Sequence, residues 1–375
     1  MTNKKTIKRI GVLTGGGDAP GLNPAIRGLV YGAAEHGIDV IGIHDGWEGL
    51  LDGFADQTWA LDPNIVRAWD RDGGTNLGSS RTNPFKQKSA DGKKIDRSGE
   101  VLKNIQRLEL DALVPIGGED TLGVGKKLAD LGAPVVGIPK TIDKDLNATD
   151  YTLGFDTSVR TCADIIERSR TPAGSHHWVQ VVEVMGRTAG HLAYWAGLAG
   201  GADIVLIPEH AFDMKKVYAL LEARLAPGRN DRKYPRYAVV VVAEGAAAEG
   251  GGEVTVDAQK DDFGHARLGG IGAWIAEKIR KETSHDARSV ALGHPQRGGA
   301  PSPVDRAMGW LYGIAASEAV RQNAWGKMVS ARGIAPACDI SLVSLADAVA
   351  SLKLVDVAKL YDTEKYAPKK SVLSF

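Results

Sequence analysis

Cysteine is scarce in this chain: 375 residues contain two, Cys162 and Cys338. They have no metal-type spacing and no sign of a disulfide framework, so a reducing, cytoplasmic setting is expected. Net charge is missing as well, since Lys plus Arg and Asp plus Glu both number 46. No overall field would then draw in DNA or an anionic membrane. No apolar run is long enough to cross a bilayer, and Met1–Ile10 is polar and basic without the apolar core of a leader. Fixed-period repeats and low-complexity tracts are also lacking. These gaps leave a soluble chain with neither nucleic-acid nor membrane partner. Hydrophobic residues make up 43%, enough for a full core, and the length suggests two domains or one large α/β unit with a second lobe.

What is present alternates between strands and helices. Ile10–Thr14 reads as a buried parallel strand, a glycine loop follows at 15–21, and Leu22–His36 reads as a helix ahead of the strand Val40–Ile43. A helix over Val101–Leu108 leads to apolar runs at 111–116 and 134–138, with a helix at 122–131 between them. A second lobe is expected to begin near Phe155. Its strands are expected at 179–184, 202–207, 237–242 and 289–293, and its helices at 188–200, 214–225 and 269–282, with a further helix at 304–322. Residues 249–253 read as a surface loop. From Asp339 the pattern fades, and the tail from Tyr361 reads as surface-bound or frayed. Such alternation implies an α/β fold with a mainly parallel sheet covered by helices in each lobe. The boundaries expected are 1–154 plus about 296–335 for one lobe, and 155–295 plus about 336–375 for the other.

Chemistry-bearing residues gather at strand ends. Gly117-Gly118-Glu119-Asp120-Thr121 closes one strand and Pro139-Lys140-Thr141-Ile142-Asp143-Lys144-Asp145 closes the next. Together they offer acidic groups able to hold a metal or take a proton, and lysines to meet an anion, which is equipment for phosphoryl transfer. By spacing alone Asp143 and Asp145 could equally be solvated loop carboxylates. Gly15-Gly16-Gly17-Asp18 has the strand–loop–helix setting of an anion site. It lacks a Walker A ending and a dinucleotide fingerprint, so it could also be only a tight turn. Arg187, Arg288, His294 and Arg297 sit near strand ends, mostly beside glycine, where guanidinium forks match phosphate oxygens. Glu244 could meet a sugar hydroxyl or cap a turn.

In order along the chain, Gly-Val-Leu-Thr-Gly-Gly-Gly-Asp-Ala-Pro-Gly-Leu-Asn (11–23), Gly-Gly-Thr-Asn-Leu-Gly-Ser-Ser-Arg (73–81), Thr-Ile-Asp (141–143), Val-Glu-Val-Met-Gly-Arg (182–187) and Gly-His-Pro-Gln-Arg-Gly-Gly (293–299) resemble the two-lobed 6-phosphofructokinase family. The resemblance implies that the two lobes are similar, with the active site in the cleft between them, and that the chain is a Mg²⁺-dependent phosphotransferase acting on fructose 6-phosphate. Gly17 and Arg81 would hold the donor's phosphates, with Glu119 at the metal position. Asp143 would take the proton from the sugar's 1-hydroxyl, supported by Thr141 and Asp145, and Arg187 would stabilise the transferring phosphoryl group. Met185, Gly186 and Glu244 would contact the sugar, while His294 and Arg297 would bind its 6-phosphate. Arg288 would complete that site from a neighbouring subunit, implying a homodimer or homotetramer with shared active sites.

The chain is most like the pyrophosphate-dependent members, which carry Asp and Lys where ATP-using members have glycine; here these are Asp120 and Lys140. A carboxylate at Asp120 would face the next phosphate of a nucleotide, and like charges about 4 Å apart repel by roughly 4 kcal/mol at an effective dielectric near 20. Lys140 would place a cation near the leaving phosphate. The reaction expected is reversible transfer from pyrophosphate to give fructose 1,6-bisphosphate. ATP as donor, sedoheptulose 7-phosphate as acceptor, and a non-catalytic sugar-phosphate-binding subunit are the alternatives. Trp178 stands where the family usually has a second phosphate-binding arginine from the neighbour, which puts the acceptor in doubt. Lys144 replaces the usual asparagine beside Asp143, and Tyr31 replaces an arginine of the allosteric site in nucleotide-regulated members.

Overall fold

A computed structural model describes residues 5–51, 57–88, 91, 93–231, 233–251, 255–260 and 266–370. Part of the expected loop at 249–253, Gly252 and Glu253, lies outside them, as do Met1–Lys4 of the basic lead and the last five residues of the tail.

The first sheet has seven strands. They are β1 (Arg9–Thr14), β2 (Asp39–Ile43), β3 (Thr58–Leu61), β4 (Ala112–Gly117), β5 (Val136–Pro139) and, much later in the chain, β10 (Lys327–Ile334) and β11 (Ala337–Ser344). Their spatial order is β11-β10-β5-β4-β1-β2-β3. The five inner strands, β10, β5, β4, β1 and β2, run parallel, and the two edges, β3 and β11, are antiparallel. Every residue of β4 is buried, as expected for a strand covered on both faces. One face packs under α1 (Leu22–Ala34) and α8 (Pro303–Arg321), the other under α2 (Ser98–Arg107) and α3 (Glu119–Asp130). The chain leaves β1 towards β2 and β3, then returns to β1's other side as β4. That reversal makes a switch point, where the loops after β1 and β4 open side by side.

The second sheet is wholly parallel, in the order β9-β6-β8-β7. Its strands are β6 (Val179–Val184), β7 (Ile204–Leu206), β8 (Ala238–Ala243) and β9 (Ala287–Ala291), and its helices are α4 (Phe155–His176), α5 (His191–Gly200), α6 (Met214–Asn230) and α7 (Ile271–Glu282). Val184 pairs with Ala243 and Glu183 with Ala291, so three strands end level and release their loops on one side. Ala19 and Ile142, from loops of the first lobe, are buried in this second core and fasten the lobes together.

The structure corrects three expectations. Residues from about 336 were expected in the second lobe, yet β11 and a short helix at Leu345–Ala348 belong to the first. The turn at Ala335–Pro336 returns the chain antiparallel onto the free edge of β10, and a tight turn leaves no other neighbour within reach. From Tyr361 to Lys370, the last described residue, the tail is not frayed: Tyr361 and Tyr366 are buried in the second core, and Tyr361–Asp362 pairs with Ala367–Pro368. Finally, α4 fills a stretch to which periodicity assigned no element. It carries Pro172 internally and buries only a narrow stripe including Phe155, Cys162 and Ile166, too little for a clear 3.6-residue signal. None of the helices among the described residues is long and apolar enough to cross a membrane.

Candidate active site

The glycine loop after β1 is pinned from three sides. The Gly16 N–H donates to the Ser80 carbonyl at 2.9 Å, and the Ser79 hydroxyl donates to the Gly16 carbonyl at 2.5 Å. A Cβ on Gly17 would sit 2.6 Å from Nη1 of Arg297. A side chain there would push aside the Arg297 guanidinium, which crosses from the second lobe and donates to the Asp18 carbonyl at 3.1 Å. Gly16, Gly17, Asp18, Thr75, Ser79, Ser80 and Arg81 line an open cavity of about 390 Å³. Exposed backbone, hydroxyls and one guanidinium suit a small anion.

Beside this loop lies Lys140, only 3% exposed, its ammonium bonded to the Gly17 carbonyl. Burial, helped by the positive charge of Arg297, lowers its pKa to about 7, against the pull of Asp143, Asp18 and Asp145. The same loop then delivers the carboxylates. Asp143 is 8% exposed, and its N–H donates to the Thr141 hydroxyl oxygen at 3.1 Å, while that hydroxyl also bonds the Asp145 side chain. Burial and the neighbouring Asp143 charge raise the Asp145 pKa, so the two carboxyls share one electrostatic environment. One oxygen of each, Oδ1, is buried without a hydrogen-bond partner. Such atoms are costly unless they meet a ligand.

From the second lobe come Met185, Gly186 and Arg187. Gly186 has φ 140° and Arg187 φ 48°. This sharp reversal is possible because Gly245 lacks a side chain: a Cβ there would lie 1.8 Å from the Arg187 carbonyl oxygen. The Arg187 N–H donates to Glu244 at 3.2 Å, and its guanidinium approaches Asp120 across the cleft at 3.9 Å. Burial, then the charge of Asp143, pushes the Glu244 pKa up to about 7. Asp120 and Glu119 occupy the first turn of α3, where negative charge is favoured.

Gly17, Lys140, Thr141, Asp143, Asp145, Arg187, Glu244, Asp120 and Arg297 are thus brought together around one cleft, with Arg81 in the adjoining cavity. His294 is exposed on the turn after β9. Arg288 is not brought there. It lies in β9 opposite Gln180, four residues before the level where the sheet ends at Val184, a distance of about 13 Å along the strand. Its exposed guanidinium stacks on the half-buried Trp178 ring at 4.6 Å, so the substituted position and Arg288 form one unit. Lys144 also turns away from Asp143, with its ammonium over the rings of Phe155 and Trp195 at 4.8 and 5.5 Å.

Gln296 lies within the Gly-His-Pro-Gln-Arg-Gly-Gly segment, and its residue type by itself points to no role. It is fully buried, accepts the Met185 N–H at 3.0 Å, donates to the Gly293 carbonyl at 2.9 Å, and its own carbonyl is held by Ser158. It ties together the two loops expected to grip the sugar phosphate. A polar residue amid Arg297 and His294 carries no sequence signal that separates it from them.

The phosphofructokinase model matches residues 9–320, most of the chain. The chain belongs to the phosphofructokinase family. Relatives agree over nearly their whole length. A pyrophosphate–fructose 6-phosphate 1-phosphotransferase of Dictyoglomus thermophilum is 50% identical over 87% of this chain and 90% of its own. One from Streptomyces coelicolor is 48% identical over 94% and 98%, and an ATP-dependent 6-phosphofructokinase 3 of the same organism is 43% identical over 95% and 99%. The fold matches the crystal structure of a pyrophosphate-dependent phosphofructokinase from Marinobacter aquaeolei with a TM-score of 0.78, 21% identity, and coverage of 97% of this chain and 89% of that one. As a member of this family, the chain is a phosphotransferase.

Proposed function

We propose that this family member transfers a phosphoryl group from pyrophosphate to the 1-hydroxyl of fructose 6-phosphate, reversibly and without a phosphoenzyme. The observation that carries this reading is Lys140: a buried ammonium bonded to the donor loop at Gly17, on the same loop as Asp143, with Asp120 facing Arg187 across the cleft. A pyrophosphate held by Gly17, Arg81 and Lys140 would meet cations along its length, whereas the next phosphate of a nucleotide would meet the Asp120 carboxylate. Asp143 would accept the hydroxyl proton as the sugar oxygen attacks phosphorus. The bridging P–O bond breaks, and phosphate leaves with its new charge facing Lys140. Arg187 would stabilise the equatorial oxygens, and its strained backbone presets that guanidinium. Thr141 and Asp145 orient Asp143, and Met185, Gly186 and Glu244 line the sugar side.

Among the described residues no three acidic, His or Cys side chains converge as a ready-made metal cage. That fits Mg²⁺, which usually binds through one or two carboxylates plus substrate phosphates, and the unpartnered carboxylate oxygens nearby suit it. Glu119 would hold the ion, which supplies charge neutralisation on the phosphates. His294 and Arg297, with the partner copy's counterpart of Arg288, would bind the 6-phosphate, so the working unit would be a homodimer or homotetramer in the cytoplasm.

Purified protein with Mg²⁺ and fructose 6-phosphate, given pyrophosphate or ATP at equal concentration, should form fructose 1,6-bisphosphate with pyrophosphate alone. Product with ATP alone would discard the donor reading. The double variant Asp120→Gly with Lys140→Gly should gain ATP use; no gain would show that these side chains do not select the donor.

A further inference from the structure

After the short helix at Leu345–Ala348, which is buried in the first lobe, residues 349–354 cross the back of the catalytic loop, and Val355 enters the second core. The flanking Leu352 and Leu354 are 39% and 49% exposed, so apolar burial does not hold this strap in place. Hydrogen bonds do, and they converge on Lys353. Its N–H donates to the Asp145 carbonyl at 2.8 Å, and its ammonium donates to the Thr149 carbonyl at 2.6 Å, with Asp150 at 3.5 Å. Its own carbonyl accepts from Nε2 of His191, on the second lobe, at 3.0 Å. Burial, reinforced by Lys144 and Lys353, keeps that imidazole neutral, so its N–H faces the carbonyl. Nearby, the Asn147 N–H donates to the Ala348 carbonyl at 3.2 Å, and Val355 N–H to Glu209 at 2.9 Å.

The loop so gripped is strained. Lys144 and Ala148 have φ of 56° and 58°, a left-handed conformation that costs any residue with a side chain and persists only where the surroundings impose it. Thr141 anchors the loop's leading edge through Asp143; behind it, the strap holds the carbonyls of Asp145 and Thr149, and the Ser330 hydroxyl of β10 holds that of Ala148 at 2.6 Å. We propose that Lys353 is a positioning residue for the catalytic loop, fixing the carbonyls of Asp145 and Thr149 so that Asp143 points into the cleft while the same strap ties that loop to the second lobe. This rests on Asp143 being the base of the reaction proposed above.

Full-length Lys353→Met and Lys353→Arg are compared with the parent protein in the Mg²⁺, pyrophosphate and fructose 6-phosphate assay. Misplacing a base by about 1 Å costs on the order of a hundredfold. Lys353→Met should therefore lose about ten- to a hundredfold in kcat with both KM values within about threefold, and Lys353→Arg, which restores the cation, should recover most of it. An unchanged kcat, a loss confined to KM, or an arginine variant as damaged as the methionine variant overturns the proposal. If Lys353→Met does not fold, His191→Leu releases the other end of the strap and should show the same split at smaller size; an unchanged kcat there is equally decisive. Failure of the parent protein to use pyrophosphate would instead sink the donor reading. Amide hydrogen exchange over residues 144–149, measured without substrate, then still decides the matter. It should quicken in Lys353→Met, and unchanged protection overturns the proposal.

Discussion

Lys140 is the residue on which charge and burial disagree most. The cation is wanted by the donor, yet the site removes its water and places Arg297 nearby. The folded-state pKa lies near 7, below the ordinary 10.5, so the charge is present at low pH and lost as pH rises through 7. The value of kcat/KM for pyrophosphate, which reports the free enzyme, should fall above pH about 7, whereas Lys140→Arg should move that fall to higher pH. Stability runs the other way. Between 7 and 10.5 the unfolded chain holds the extra proton, so the lysine's cost to folding is relieved as pH rises. Lys140→Met should raise the unfolding midpoint more at pH 6 than at pH 9. Asp143→Ser tests the base directly: kcat should drop by about 10²–10⁴ while calorimetric binding of fructose 6-phosphate survives. Loss of both would make Asp143 a binding group.

Elements place these residues through close approaches that only glycine permits. Gly245 passes the Arg187 carbonyl where a Cβ would fall within 1.8 Å. Gly245→Ala should displace Arg187, lowering kcat by about a hundredfold, the scale of a 1 Å error, with a normal kcat refuting the argument. In the helix pair α1–α8, a Cβ on Gly313 would lie 2.2 Å from the Ala25 carbonyl and one on Gly28 2.4 Å from that of Trp310. Gly313→Ala should cost about 1–3 kcal/mol of stability, the usual range for overpacking, measurable by denaturant unfolding. Most elements near the cleft could be read from sequence, because buried parallel strands are short apolar runs. Met185–Arg187 and Lys140–Asp145 stand out as the polar ends of such runs. Exceptions were α4, with its narrow stripe and internal proline, and the β10–β11 hairpin, whose outer strand has only half-buried and exposed positions and so no apolar run to stand out.

At the scale of the whole molecule, Arg288 decides what must be tested. It lies on an edge strand about 13 Å from the level of the cleft-facing loops, and the proposal that it serves another copy's site is tested by mixing. Asp143→Ser and Arg288→Ala proteins, each impaired alone, should regain activity when mixed and allowed to exchange subunits. Random pairing in a twofold dimer leaves about a quarter of the sites with both groups intact. No recovery on mixing would place Arg288 outside the active site altogether.

The sequence by itself determined the strand-end loops, the family, and the pair Asp120 and Lys140, because these are local: a residue type, its spacing, and the strand before it. Tertiary structure alone decided that Arg297 reaches back to the Gly17–Asp18 loop, that Lys144 turns onto two aromatic rings, that Gln296 joins the sugar-side loops, and that Lys353 braces the catalytic loop. Each of those is a contact between segments more than ten residues apart, and for Lys353 more than two hundred. Spacing along a chain carries no record of which distant carbonyl will lie within 3 Å; only the packing of two lobes around one cleft supplies that.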